Sequence, residues 1–279
     1  MKAALTWHRL RFGQASRLGR DVMIGLDRRL PTQRFLHGVL SGGALYDPPL
    51  VAVLTDTLQP GDTFIDIGSH VGYYALLAWQ QVGRRGRVVA FEANPQTFHV
   101  LLANVLGNRA ANLFAIHCAL GDAEGTATLH ISDTDEGLSS LIVPADRSVP
   151  VAMTTLDALH DAWRLEHVRM VKIDVEGFER QVIAGGASFF PDVRPESVVF
   201  EVNHTLEGID PDADLHIRSH FEAIGYRCYL IRPWFDTPDA ARFPSTELLA
   251  LLRPGRRLAV DYGNILATRR NIAAPVFDP

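Results

Sequence analysis

Asp62-Thr-Phe-Ile-Asp66-Ile-Gly68-Ser-His-Val-Gly72-Tyr-Tyr74 decides how the rest of the chain is read. An apolar run reaches Asp66, two glycines follow, and a helical pattern opens near Val71. That order predicts a strand over about 63–67, a turn, and a helix over about 71–81, the first unit of an open α/β sheet. A pyrophosphate-binding turn needs G-x-G-x-x-G, so that backbone can close on phosphate. Only Gly68 and Gly72 stand here, and Asp66 would repel a pyrophosphate. A carboxylate at that place suits a cationic ligand.

The pattern repeats on either side. Gln59-Pro-Gly-Asp62 is a turn that releases the chain into the first strand. Further strands are predicted at 87–92, 112–117, 170–174, 197–202, 226–231 and 264–268, with shorter ones at 127–132 and 149–153. Helices are predicted at 95–106, 155–162, 178–184 and 215–224. The alternation implies an α/β fold, a mostly parallel sheet with helices on both faces. Residues 1–58 read as a separate helical, irregular and basic segment broken by Pro31, Pro48 and Pro49, and 59–279 as the ligand-binding domain.

Composition sets outer limits. A 47% hydrophobic, 21% charged chain of 279 residues is an ordinary globular one. The net charge of −5 argues against nucleic acid as a partner. Charge is uneven: residues 1–40 carry eight Lys and Arg against two Asp. Such a segment can pack on the main domain, touch a membrane surface weakly, or make a homodimer contact. Cys118 and Cys228, the two cysteines, lie in apolar runs without metal or disulfide spacing, which fits free thiols in the cytoplasm. No stretch approaches a membrane span, and the first residues lack a signal-peptide core.

Three strand ends carry chemistry. Glu92 closes the second strand, where an acidic residue of a doubly wound fold accepts both ribose hydroxyls. Gly121-Asp122 follows the third strand at the edge where ligands bind, and Asp122 can accept from an adenine amine. Asp174 and Glu176 share a strand end and turn, and ionised groups there are costly unless paired. S-adenosylmethionine, with a sulfonium and an ammonium and no phosphate, answers these acidic groups.

The blocks Asp62–Tyr74, Phe91-Glu-Ala-Asn94-Pro95, Ala119-Leu-Gly121-Asp122, Thr155-Leu-Asp157 and Val171-Lys-Ile-Asp174-Val-Glu176-Gly-Phe-Glu179 together resemble the FkbM family of methyltransferases. The resemblance spans about residues 45–205. It implies a class I, Rossmann-like, seven-stranded fold, S-adenosylmethionine as donor, and a hydroxyl of a sugar, glycan or polyketide natural product as acceptor. Many relatives have Ala-Asn where this chain has Ser69-His70. Carried onto this chain, the pattern gives Asp66, Gly68, Ser69, His70 and Gly72 to the methionine part of the donor. Glu92 holds the ribose, Asn94 flanks the adenine, and Gly121 and Asp122 border the base. Ser139 and Ser140 reach donor or acceptor, and Asp174 and Glu176 face the transfer centre.

Methyl transfer is an in-line displacement that gains most from alignment, with a base to relieve the hydroxyl of its proton. Asp174 or Glu176 is the first choice of base. His204, just beyond the fifth strand, is the second, because imidazole titrates near neutrality. No metal site is assigned. A divalent ion among Asp174, Glu176, Glu201 and His204 is the less favoured device. Trp234 and Phe235 offer a face for a sugar ring or for packing. Alternative functions are donor binding without catalysis, or N-methylation of a small molecule. A nicotinamide dehydrogenase is disfavoured by the missing third glycine.

Overall fold

The computed structural model describes residues 5–10, 22–206, 210–233, 245–258 and 260–277. Trp234, Phe235, and most of the basic residues before Asp21 lie outside the described residues. Strands β3 (Thr63–Ile67), β4 (Arg87–Glu92), β5 (Leu113–His117), β9 (Val168–Ile173) and β10 (Ser197–Asn203) form the parallel centre of the main sheet. β13 (Tyr262–Thr268) enters between β10 and β11 (Arg227–Ile231), antiparallel to both. With β12 (Leu249–Leu251) at one edge, the order is β12-β11-β13-β10-β9-β3-β4-β5.

Seven of these strands are the ones predicted. The eighth, β12 (Leu249–Leu251), pairs antiparallel with β11 at the edge. Its Leu-Ala-Leu is too short to register as a periodic apolar run. A second sheet, β6 (Ala119–Leu120), β8 (Arg147–Thr154) and β7 (Gly125–Ile131), stands beside the main one.

Period-two alternation divides the core. Phe64, Met170, Val199 and Leu266 face one side of the sheet, and Ile65, Val171, Val198 and Ile265 the other. Both faces are covered, as a parallel centre requires. Helix α3 (Tyr73–Val82) is buried at every residue, so it carries no polar stripe for solvent. Gly72 starts it with φ +85°, and a Cβ there would meet Leu101 at 2.5 Å.

The amino-terminal segment differs from its reading as helix and coil. Helices α1 (Pro31–Ser41) and α2 (Pro48–Thr57) are present, but an antiparallel hairpin of β1 (Thr6–Leu10) and β2 (Val22–Leu26) precedes them. Val22, Ile24 and Leu26 are buried in the core that α3 and α4 (Pro95–Gly107) share. The far edge of β2 is paired by side chains. Gly25 N donates to Asn104 Oδ1 (2.6 Å) and Asn104 Nδ2 donates to Gly25 O (3.1 Å). Asn108 does the same for Met23, at 2.8 and 2.6 Å. The seating of a strand cannot be read from its own residues when the groups on its far edge are amides on a helix some eighty positions away.

Asn104→Ala strands the buried backbone groups of Gly25, at a cost of about 1–3 kcal/mol. Urea denaturation checks the cost. Amide exchange at Gly25 should accelerate more than at Ile65 in the sheet centre.

Candidate active site

The carboxyl ends of β3, β4, β9 and β10 open into a cavity of about 200 Å³. The turn after β3 enters it first. Gly68, at φ +79°, passes so close to the next strand's turn that a Cβ would lie 1.7 Å from Asp174 O. Its required close approach is therefore to protein backbone. Gly68 N and Ser69 N both donate to Phe91 O, at 3.0 and 2.8 Å, and Asp174 N donates to Ile67 O at 3.0 Å. These bonds tie three strand ends into one rim.

Glu92 ends β4 on that rim. Its Oε2 accepts from His70 N (2.7 Å), and its Oε1 from Asn94 N and Thr97 Oγ1 (2.8 Å each). The carboxylate lines the cavity in a fixed orientation, and with three of its about four lone-pair sites filled it keeps one, on Oε2, for a ligand. Asn94 caps α4 through Gln96 N, and its Nδ2 donates to Ser139 Oγ (3.0 Å). Gly68, Ser69, His70, Glu92, Asn94, Ser139, Asp174 and Glu176 all line the cavity.

Six predicted residues do not. Asp66 is fully buried behind the rim and is not among the lining residues. Gly72 belongs to the helix start. Gly121 is packed under Met153 and Phe178, and Asp122 is exposed in the turn. The chain continues beyond β5 into β6, so Cys118, Ala119 and Leu120 take the lining place expected of Gly121 and Asp122. His204 lies outside the cavity, its Nε2 3.5 Å from Asp214 Oδ1. Ser140 sits behind the wall and donates to Glu176 O (2.7 Å), holding that turn.

Lys172, missed in the sequence, organises the acidic edge. Its Nζ donates to Asp174 Oδ2 (2.8 Å), lies 3.8 Å from Asp66 Oδ1, and sits 4.9 Å from the Tyr74 ring centroid. Burial opposes its charge, but Asp174 and Asp66 outweigh burial and hold its proton more tightly than usual. The signal was present: a lysine inside the apolar strand Val171-Lys172-Ile173 needs a buried partner. Burial pushes the Asp66 carboxyl up to about 6 even beside that ammonium. Burial, with Asp174 adding repulsion, raises Glu176 and Glu201 well above the carboxylate range. Glu179 accepts from Val175 N (3.0 Å) and Gly177 N (3.3 Å), shaping the turn that carries Glu176.

Glu136 gave no sequence signal. It sits in a 3₁₀ turn (Glu136–Leu138) between β7 and β8, and its carboxylate accepts from Thr32 N (3.0 Å) and Gln33 N (3.1 Å). Helix α1 has no side-chain cap of its own, so a distant glutamate caps it. That bond seats Thr32, Phe35 and Leu36 on the cavity wall. His70 Nε2 lies 3.7 Å from the same carboxylate. Tyr46 and Tyr262 complete the wall from the two ends of the chain.

Residues 66–228 match the Methyltransferase FkbM domain. A hexuronic acid methyltransferase, AglP, of Haloferax volcanii is 25% identical over 58% of this chain and 63% of its own length. Methyltransferase 1 of Beauveria bassiana is 28% identical over 45% of this chain and 59% of its own. The chain thus spans about six-tenths of these curated relatives. Among solved structures, an FkbM methyltransferase from Methylobacillus flagellatus aligns over 86% of this chain and 56% of its own, with TM-score 0.51 and 15% identity. The class I α/β fold is shared with it.

The buried acids set a pH dependence. Asp47 and Asp66 are pushed up to about 6 and Glu179 to about 7, chiefly by burial. A carboxyl whose folded value exceeds its unfolded one binds its proton better when folded. Its stabilisation is complete below about pH 4 and is lost as pH rises through the folded value. The melting temperature of the ligand-free protein should therefore fall between about pH 5 and pH 8, and Asp66→Asn should flatten that slope.

Proposed function

Because the chain belongs to the FkbM methyltransferase family, we propose that it uses S-adenosylmethionine to methylate a hydroxyl of a sugar or glycosylated small molecule. One observation carries this reading. The cavity has an oriented, ribose-type acceptor at Glu92 and a second group of carboxylates at Asp174, Glu176 and Glu201. Glu92 and Glu201 stand three strand spacings apart across β4-β3-β9-β10, about 14 Å at roughly 4.8 Å each. That span suits an extended donor with its adenosine over β4 and its sulfonium toward β9. The relative named as a hexuronic acid methyltransferase supports a sugar acceptor.

The residues fit the donor. Glu92 takes a ribose hydroxyl through the open site of Oε2, and Asn94 and Ser139 flank the base. The 68–70 turn and Asp174 take the methionine end. The donor supplies an electrophilic methyl on a sulfonium. On transfer the acceptor oxygen gains the methyl, the sulfur keeps the bonding electrons, and the hydroxyl proton passes to a protein carboxylate. Asp174 is engaged by Lys172, whereas Glu176 Oε2 accepts no hydrogen bond, so Glu176 is the better base. His204, turned to Asp214, is withdrawn from that role. Two buried free thiols fit a reducing compartment, and no described helix is long and apolar enough to cross a membrane.

Titration calorimetry with S-adenosylhomocysteine should show binding to the wild type. Glu92→Ala should weaken it about 10- to 100-fold, the worth of about 1.5–3 kcal/mol for bonds to a charged group. No binding to the wild type removes the donor reading.

Glu176→Gln should lower kcat by about 10²–10⁴-fold on a sugar acceptor, and His204→Gln should leave it within a few-fold. Since burial raises Glu176, the acid limb of kcat/KM should lie above the ordinary glutamate value of about 4.3, with activity rising as pH passes through it.

A further inference from the structure

The carboxylates of Asp174, Glu176 and Glu201 converge, one oxygen of each lying within 4.8 Å of the others. They come from adjacent strand ends, the β9 turn and β10, which the parallel ladder holds in register. Hard divalent cations bind oxygens at about 2.0–2.6 Å, so ligands of one ion stand up to about 5 Å apart. The spacing therefore admits a single ion.

Glu201 points to an occupant independently of that spacing. It is only 5% exposed and lines the cavity; Tyr262 hydrogen-bonds its carboxyl, yet Oε2 accepts no hydrogen bond. A buried carboxylate oxygen left without a partner is costly. Glu176 is held beside it at φ +51°. Such a backbone is strained for a non-glycine residue and persists only where its surroundings impose it. Here the Ser140 hydroxyl bond to Glu176 O imposes it.

Among the described residues one ammonium, that of Lys172, pairs with this group, at Asp174, and no Lys or Arg forms an ion pair with Glu176 or Glu201. Lys172 is the single Lys or Arg among the described lining residues, and it is spent on Asp174 and Asp66. His70, the other basic lining residue, faces Glu136. His204, once grouped with these acids, is directed to Asp214.

We propose that Asp174, Glu176 and Glu201 hold a hard divalent cation that binds the acceptor, with acceptor oxygens completing its shell. The acceptor's role rests on the methyltransferase reading above. Adjacent hydroxyls, or a hydroxyl beside a carboxylate, chelate such an ion. A carboxylated sugar would otherwise be repelled by three carboxylates. The ion selects polyhydroxy or uronate-type acceptors and draws electron density from the bound hydroxyl. Glu176 coordinates through one oxygen and keeps Oε2 for the departing proton.

The test is Mn²⁺ titration of EDTA-treated full-length protein, followed by loss of the free Mn²⁺ electron paramagnetic resonance signal, with and without saturating S-adenosylhomocysteine. One saturable Mn²⁺ per chain, retained with S-adenosylhomocysteine, is expected. Glu201→Gln should weaken it by more than about tenfold, the lower bound even for partners outside the direct ligand shell. Absence of saturable binding overturns the proposal, as does unchanged affinity in Glu201→Gln. Displacement of Mn²⁺ by S-adenosylhomocysteine also overturns it, since the carboxylates would then be holding the donor's ammonium. If circular dichroism shows Glu201→Gln unfolded, Glu176→Gln is read by the same criteria. Calorimetry on the same sample separates the two readings. S-adenosylhomocysteine binding without Mn²⁺ binding removes the cation alone, and failure of S-adenosylhomocysteine to bind removes the donor reading while Mn²⁺ still judges the site.

Discussion

Negative charge gathered at one edge of a parallel sheet is the constraint around which this molecule is arranged. Asp66, Asp174, Glu176, Glu179 and Glu201 stand at or just beyond the ends of three neighbouring strands, and the Lys172 ammonium lies among them. Solvation alone does not hold such a group in place, because most of its members are buried. Backbone donors do part of the work: Val175 N and Gly177 N fix Glu179, as His70 N and Asn94 N fix Glu92. What backbone and lysine leave uncompensated is the attraction offered to a cationic ligand.

The cavity that uses this charge is not built by the matched block alone. Thr32, Phe35, Leu36 and Tyr46 come from before residue 66, and Tyr262 from after residue 228. Helix α1 reaches the cavity because Glu136, from inside the block, takes its first free amides. The rim at Gly68, Glu92 and Asp174 thus lies inside the matched block. The opposite wall is made in part by segments that flank it.

Legibility in the sequence followed the same division. The strands ending at Ile67, Glu92 and Ile173 were readable because each is an apolar run closed by an acid or a glycine turn, and their ends carry Gly68, Glu92, Asp174 and Glu176. The hairpin β1–β2 was not, since the far edge of β2 is seated by Asn104 and Asn108, distant in the chain. Glu136 was invisible for a similar reason: its function is to cap a helix more than a hundred residues earlier. Asp122 misled because Gly-Asp is equally good as an exposed turn, and continuation of the chain into β6 made it one. His204 misled because a position near the right sheet edge does not say which way the ring points, and Asp214 draws it away.

The asparagine contacts to β2 have a consequence for how a strand can end a structure. A side-chain amide carries a donor and an acceptor in one plane, as a peptide does. Four residues of helix rise about 6 Å and two residues of antiparallel strand about 6.8 Å, so Asn104 and Asn108 meet Gly25 and Met23 almost in step. Helix α4 therefore imitates a neighbouring strand over one repeat. With β1 on one side and this imitation on the other, β2 presents no bare ladder at Met23 and Gly25 for another chain to extend.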